Sequence, residues 1–188
     1  MELVTREYKT YNFNELTEIA KEKALNHFRE SNVDYEWWDF LFENFKEELE
    51  EKGISFKNCY FEFYRSRFLY FTDIDINDLN KFIKALPLKL NRVVLNSLLD
   101  GEISLFIRES RNEYNYFDLE DNTDNKITEN KRIKKHIDLD KLNEWFKDYS
   151  NNCLKRLYDE YCYLSSDEYI TEEIELNEYK FLENGELF

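Results

Sequence analysis

The last 32 residues of the chain, Leu157 to Phe188, combine a dense negative charge with many apolar side chains. This segment holds ten acids and one base, a net charge of −9 out of −15 for the whole chain. Disordered acidic tails contain few aromatic residues, whereas Tyr161, Tyr169 and Phe181 are spread through this one. The segment therefore has the apolar surface it needs to fold, and its carboxylates must then lie on the folded surface.

The negative charge is concentrated towards both ends of the chain. Residues 1–60 carry a net charge of −6, residues 61–112 carry +1, and residues 113–188 carry −10. A surface of this kind repels nucleic acids and anionic membranes and attracts cations. The charge pattern therefore predicts a basic protein as partner, with no direct binding of nucleic acid or membrane.

The order of helical and strand patterns predicts a single α+β domain over residues 1–188. A hydrophobic content of 42% is enough for a real core,. We expect an antiparallel sheet of about four to five strands packed with helices, one of them long and in the C-terminal half. The expected helices cover 17–30, 35–52, 78–86, 88–99 and 139–164, with a last one starting at Ser166. The expected strands cover 54–64, 68–71, 103–107, 114–119 and 179–182, and residues 120–137 are expected to form an exposed loop.

Apolar runs and cysteines bear on where the chain resides. No run of 18 apolar residues is present, so no membrane span is expected,. The first residues lack the basic and apolar regions of a signal peptide. Three cysteines, an odd number, argue against a disulfide framework and favour buried thiols,. These features predict a cytoplasmic protein.

The residues that most catalytic sites need are scarce. The two histidines, His27 and His136, are too few for a multi-histidine metal site, and no nucleophile elbow, phosphate loop or Cys-x-x-Cys pair occurs,. The segment 73–78 imitates the start of a calcium loop, but Asp78 occupies the position of the turn glycine and Lys84 that of the bidentate glutamate,. An acidic helix cap explains the same residues. We therefore predict no catalytic residue, no metal and no cofactor, and a protein that is not an enzyme.

Rows of glutamates on two predicted helices are the main candidates for partner binding. Carboxylates four residues apart rise about 6 Å along a helix, and such rows can imitate a line of phosphates. Trp37, between Glu36 and Asp39, would anchor a basic partner if it is exposed. The alternatives are that both indoles of Trp37 and Trp38 pack internally, and that the acids form an ordinary solvated face. The predicted partner-binding residues are Glu36, Trp37, Asp39, Glu43, Glu47, Glu50, Glu51, Glu168, Glu172, Glu173 and Glu175.

Two groups of short segments form a recognisable pattern, one near each end of the chain. The segments are 11–16, 20–24 and 34–39 near the start, and 163–168, 177–181 and Gly185 near the end. Together they resemble, over about a third of the chain and in the same order, a family of small phage and prophage proteins, some of which carry an antitoxin label. The resemblance implies a phage accessory gene and supplies no mechanism.

Charge and resemblance together lead to one functional hypothesis and two alternatives. The hypothesis is a phage-encoded counter-defence inhibitor, of the anti-CRISPR or anti-restriction type. It would bind a basic, nucleic-acid-binding host protein such as a CRISPR effector and block it stoichiometrically. The first alternative is an antitoxin that neutralises a basic toxin. The second is a sponge for a nucleotide signal, which would bind through the arginines of the neutral middle segment, Arg65, Arg67, Arg92, Arg108 and Arg111.

Overall fold

The computed structural model describes residues 7–65, 67–110, 114–122 and 137–188. Where the sequence predicts one domain, contacts in the structure gather into two compact units. The terminal unit consists of residues 1–39 and 158–188, and the central unit consists of residues 40–157. Most of the predicted loop, residues 123–136, lies outside the described residues, while Glu120 and Asp121 belong to a strand.

The fold belongs to the predicted α+β class, with a long helix in the C-terminal half. The helices of the described residues are α1 Glu18–Ser31, α2 Asp39–Glu50, α3 Leu79–Ala85, α4 Arg92–Leu99, α5 Leu139–Leu164 and α6 Asp167–Leu176. The strands are β1 Ile54–Ser55, β2 Asn58–Glu62, β3 Phe68–Thr72, β4 Asp75–Ile76, β5 Ile103–Glu109 and β6 Asn115–Asp121.

The sheets are smaller than predicted. Within the described residues the strands form three separate antiparallel pairs, β1 with β4, β2 with β3, and β5 with β6, so the expectation of a four- to five-stranded sheet is wrong. The buried side chain of Asn115, at the start of β6, explains where pairing stops. Its amide nitrogen donates to the carbonyl of Phe71 in β3 and its amide oxygen accepts from the Phe71 N–H, both at 2.8 Å. A side chain therefore occupies the backbone groups that another strand would need.

Most helix boundaries follow from the capping residues that the sequence displays. The side chains of Thr17, Asp78 and Ser166 accept hydrogen bonds from the first turns of α1, α3 and α6, as such residues do at N-caps. The cap at Asp78 confirms the helix-cap interpretation of the calcium-like segment. The second helix begins at Asp39 rather than at 35, because residues 33–38 form turns and bends.

The terminal unit is built around α1 and α6, which pack their apolar faces together. Ala24, Phe28, Ile170 and Ile174 are buried in its core with Phe181. The predicted closing strand over 179–182 is reduced to isolated bridges, through which Phe181 pairs with residues 11 and 187. The unit therefore has its own core, formed from both ends of the chain.

The apolar residue Ile19 of α1 does not lie on the buried face of the helix. Ile19 is 86% exposed, whereas Ala20, Ala24 and Phe28 are buried. Residues 20, 24 and 28 lie almost above one another on a helix, and residue 19 is turned about 100° away from residue 20. The buried face of α1 therefore excludes the side of the helix on which Ile19 lies.

The central unit packs aromatic rings between α2, α5 and the strands. Phe71 lies 5.9 Å from Phe146 and 4.6 Å from Phe56, measured between ring centroids. Phe45, Phe71 and Phe146 are fully buried. Aromatic pairs at these distances add attraction beyond the burial of their area, so this cluster holds the helices against the strands.

Polar contacts join α2 to α5 beside this cluster. Glu48 accepts hydrogen bonds from the Tyr149 hydroxyl at 3.2 Å and from Arg156 at 2.6 Å. The guanidinium of Arg156 also lies 4.8 Å from the centre of the Phe45 ring. Burial raises the pKa of the Tyr149 hydroxyl above its ordinary value, so this group remains a donor at neutral pH.

The three cysteines are free, and two of them are buried as expected, Cys59 and Cys153. Burial raises the pKa of the Cys153 thiol to about 12, which keeps it protonated and unreactive at neutral pH. Cys162 is exposed, so the expectation of buried thiols is wrong for this residue.

Among the described residues, no helix combines the length and the apolar character that crossing a bilayer requires.

Candidate acidic docking surfaces

Nearly all of the excess charge belongs to the terminal unit. Its two segments hold nineteen acids and six bases, a net charge of −13, whereas the central unit holds twenty-two acids and twenty bases. The sequence places the excess towards both ends of the chain, and the fold collects those ends in one unit. The terminal unit therefore has the charge that a surface for a cationic partner requires.

The helix α6 displays a row of carboxylates opposite its buried face. Glu168, Glu172 and Glu175 are exposed, and they follow one another at helical spacings of four and three residues. Ile170 and Ile174 are fully or almost fully buried on the other side. The predicted row therefore exists on the surface of this unit, and its orientation is fixed by the packing of α6 on α1.

Glu173 does not belong to this row. Its side chain is half-buried and accepts a hydrogen bond from the amide of Asn32 at 2.8 Å. Glu175 accepts a weaker one from Asn14 at 3.2 Å. Since both donors are neutral amides, these contacts orient the carboxylates without cancelling their charge.

The cations of the terminal unit neutralise few of its acids. Among its described residues, three bases form ion pairs: Lys21 with Glu18, Lys23 with Glu186, and Arg29 with both Glu22 and Asp167. The hydrogen bond from Lys23 lowers the pKa of Glu186 below its ordinary value. These pairs engage four of the eighteen described acids of the unit. None of the four belongs to the row on α6.

A second row lies on α2, in the central unit. Glu43, Glu47 and Glu50 are exposed on the side of the helix opposite Phe45 and Leu49, which are fully buried. Glu51 follows directly after the helix and is also exposed. Lys46 forms an ion pair with Glu43. For Glu47, Glu50 and Glu51, no ion pair occurs within the described part of the chain.

The tryptophan of the predicted anchor is not a free-standing indole. Trp37 is half-buried. Its ring lies edge-on to Trp38 at 5.5 Å and 6.1 Å from the ring of Tyr161, between centroids. Glu36 and Asp39, which flank the pair, are exposed. The internal-packing alternative therefore accounts for much of the Trp37 side chain, and the flanking carboxylates are the accessible groups.

The central unit contains a groove that the sequence analysis did not predict. The groove has a cavity volume of about 980 Å³ and lies between the first half of α5 and the beginnings of β3 and β6. Phe68, Tyr114 and Tyr116 line its strand side. In the sequence, the only sign of this groove is the aromatic residues at alternate strand positions. Such residues are equally typical of an ordinary packed sheet, so they do not indicate a groove.

The arginines of the middle segment do not gather into one pocket. Arg67 lines the groove, whereas Arg65 and Arg92 are exposed and are not part of its lining. Arg108 forms ion pairs with Asp118 and Glu120. The hydrogen bonds that Arg108 donates to these two carboxylates raise the pKa of its guanidinium. Arg111 lies outside the described residues.

No group of three or more His, Cys, Asp and Glu side chains is arranged to hold a metal ion in the described part of the chain. Comparisons with models of known protein families, with characterised proteins and with solved structures find no match to this chain.

Proposed function

We propose that this chain is a phage-encoded, non-enzymatic inhibitor that acts in the cytoplasm of the bacterial host. It binds a basic, nucleic-acid-binding defence protein, such as a CRISPR effector, and blocks it stoichiometrically. The observation that carries the proposal is that the terminal unit has its own packed core and a net charge of −13. A fixed anionic surface competes with nucleic acid for a Lys- and Arg-lined groove.

The spacing of the acids limits how the inhibitor would work. The row on α6 places three charges over eight residues, with successive charges about 5 Å apart along the helix axis. One strand of DNA carries one charge per about 3.4 Å. A single row is thus sparser than a strand of phosphates. Binding therefore needs several acidic elements of the terminal unit together, with apolar contacts that slow dissociation.

The direct test is capture of the tagged protein's partner from nuclease-treated bacterial lysate at low salt. We expect a basic nucleic-acid-binding protein. Raising the salt to moderate ionic strength should release it, because the Debye length shortens from about 30 Å at 0.01 M to about 8 Å at 0.15 M. The purified partner should lose nucleic-acid binding when the inhibitor reaches an equimolar amount.

A charge-matched pair of variants makes this test specific. The double substitution Glu172→Gln and Glu175→Gln removes two charges from the terminal unit, whereas Asp100→Asn and Asp148→Asn removes two exposed charges from the central unit. The first should weaken binding by about three- to tenfold and the second should change it little. Capture of a small toxin would favour the antitoxin alternative, and a partner that still binds nucleic acid in the complex would refute the proposal.

A further inference from the structure

The groove of the central unit has the size and the lining of a small-molecule site. Its volume of about 980 Å³ is at the upper end of the range of about 300–1,000 Å³ that such sites occupy. Its lining mixes aromatic, basic, acidic and amide side chains. The inhibitor hypothesis uses none of these residues.

Two buried or half-buried amides hold the walls of the groove in place. Asn115 is 6% exposed and ties the start of β6 to Phe71 of β3 through both ends of its amide. Asn143 of α5 accepts a hydrogen bond from the backbone N–H of Phe117 at 2.6 Å. The strand side and the helix side are therefore joined by specific bonds, and the opening between them is preformed.

Aromatic rings on the strand side offer faces for a planar ligand. Phe68 is half-buried, Tyr114 is 49% exposed, and Tyr116 lies 6.1 Å from Tyr114 between ring centroids. Nucleobases stack on such rings with little dependence on base identity. These rings are therefore suited to contact a flat, aromatic group at one end of a ligand.

The helix side of the groove carries charges of both signs. Lys141 and Lys147 line it, and no ion pair engages either of them among the described residues. Asp140 and Glu144 lie one helical turn apart on the same side. A bare polyanion would meet these carboxylates unfavourably, whereas a ligand with both hydroxyl donors and an anionic group would satisfy both kinds of side chain.

We propose that this groove binds a nucleoside phosphate. The base stacks on the aromatic side chains of the strand wall, the ribose hydroxyls donate to Asp140 and Glu144, and the phosphate accepts from Lys141 and Lys147. The central unit is nearly neutral, with twenty-two acids and twenty bases. An anionic ligand therefore meets less repulsion there than the charge of the whole chain implies.

The test is calorimetric titration of the full chain with each of the four common ribonucleoside 5′-monophosphates. We expect at least one to bind with 1:1 stoichiometry and a Kd of about 100 μM or tighter. The corresponding nucleoside and inorganic phosphate should each bind at least about tenfold more weakly, because each makes only part of the contacts.

Variants decide whether binding occurs in this groove. Lys147→Ala should weaken binding about tenfold through loss of a charge-assisted contact. Lys155→Ala, an exposed lysine of the same helix outside the groove lining, should leave it unchanged. Phe68→Ala should also weaken binding, provided that its circular dichroism spectrum matches that of the parent. The proposal is overturned if none of the four nucleotides saturates the protein, or if Lys147→Ala and Lys155→Ala behave alike.

Discussion

At the residue scale, Asn115 decides how far the strands of the central unit extend as a sheet. Its amide is the same size as a peptide group and, like one, offers both a donor and an acceptor. By bonding both backbone groups of Phe71, it replaces one rung of a ladder with a side chain. A strand pair and its neighbour can then lie together without forming a continuous sheet.

Replacing Asn115 with Ala should destabilise the protein considerably. The substitution leaves the N–H and the carbonyl of Phe71 without partners in a buried site, and each unsatisfied group costs about 1–3 kcal/mol. We expect the free energy of unfolding, measured by urea denaturation, to fall by about 2–4 kcal/mol. The same substitution at Asn152, exposed on α5, should change it by less than about 0.5 kcal/mol. Equal effects at the two sites would contradict this role of Asn115.

Asn115 also illustrates what single residues conceal in a sequence. The helix caps Thr17, Asp78 and Ser166 accept from backbone N–H groups three positions later in the chain, so a local sequence pattern can indicate such caps. The partner of Asn115 lies 44 residues earlier in the chain. A polar residue at the start of a strand usually indicates a turn. The neighbouring residues in the sequence do not distinguish a turn from a long-range hydrogen bond.

At the element scale, two adjacent glutamates of α2 have different surroundings. Glu48 is half-buried and contacts Tyr149 and Arg156 of α5, whereas Glu47 is exposed and has no ion pair within the described residues. Residues next to each other on a helix point about 100° apart. One position therefore stabilises the packing of two helices, and the next is available to a partner.

Substitution of the two glutamates should therefore affect stability to different extents. Glu48→Ala should lower the free energy of unfolding by about 1–3 kcal/mol, because it leaves the part-buried Arg156 guanidinium without its acceptor,. The Tyr149 hydroxyl keeps a second acceptor, the Phe45 carbonyl at 3.3 Å. Glu47→Ala should change that free energy by less than about 0.5 kcal/mol. Chemical denaturation of the two variants, run in parallel, makes the comparison. A larger loss for Glu47→Ala would show that the assignment of the two faces is wrong.

The sequence predicted elements well where one period and a capping residue agreed. The long helix α5 has the predicted bounds, because its apolar residues recur at helical spacing over 26 residues,. The second helix was predicted four residues too early, since Trp37 and Trp38 continue an apolar pattern through residues that form turns. Sheet extent failed for a different reason: pairing between hairpins is a long-range property.

At the scale of the whole molecule, the distribution of charge matters more than its total. The exposed rows on α2 and α6 were predicted because helical periodicity fixes which acids face solvent. The collection of a −13 charge in one unit was not predicted, because it depends on contact between two terminal segments that 118 residues of chain separate. The groove was also missed, since its walls come from three separate segments.

Self-repulsion within the terminal unit should make the protein sensitive to salt. Like charges on one small unit oppose its compaction, and added salt screens them. We expect the melting temperature to rise by about 2–4 °C between 10 and 150 mM NaCl, which corresponds to about 1 kcal/mol for a chain of this size. Differential scanning calorimetry at the two concentrations measures the shift.

The two charge-matched double variants provide the control for this effect. Removing the charges of Glu172 and Glu175 should reduce the salt-dependent rise. Removing those of Asp100 and Asp148, at the same net charge, should leave most of it. A melting temperature that falls as salt is added would mean that surface ion pairs, such as that of Lys23 with Glu186, outweigh the repulsion.

The assembly of the terminal unit from two distant segments has a consequence for biosynthesis. Residues 158–188 leave the ribosome after the whole central unit has been translated. Until then, the apolar residues of α1 cannot be buried against α6,. Nascent chains halted before that point would expose Phe28 and its neighbours and would be prone to degradation. The anionic surface therefore matures only in molecules whose translation has gone through α6.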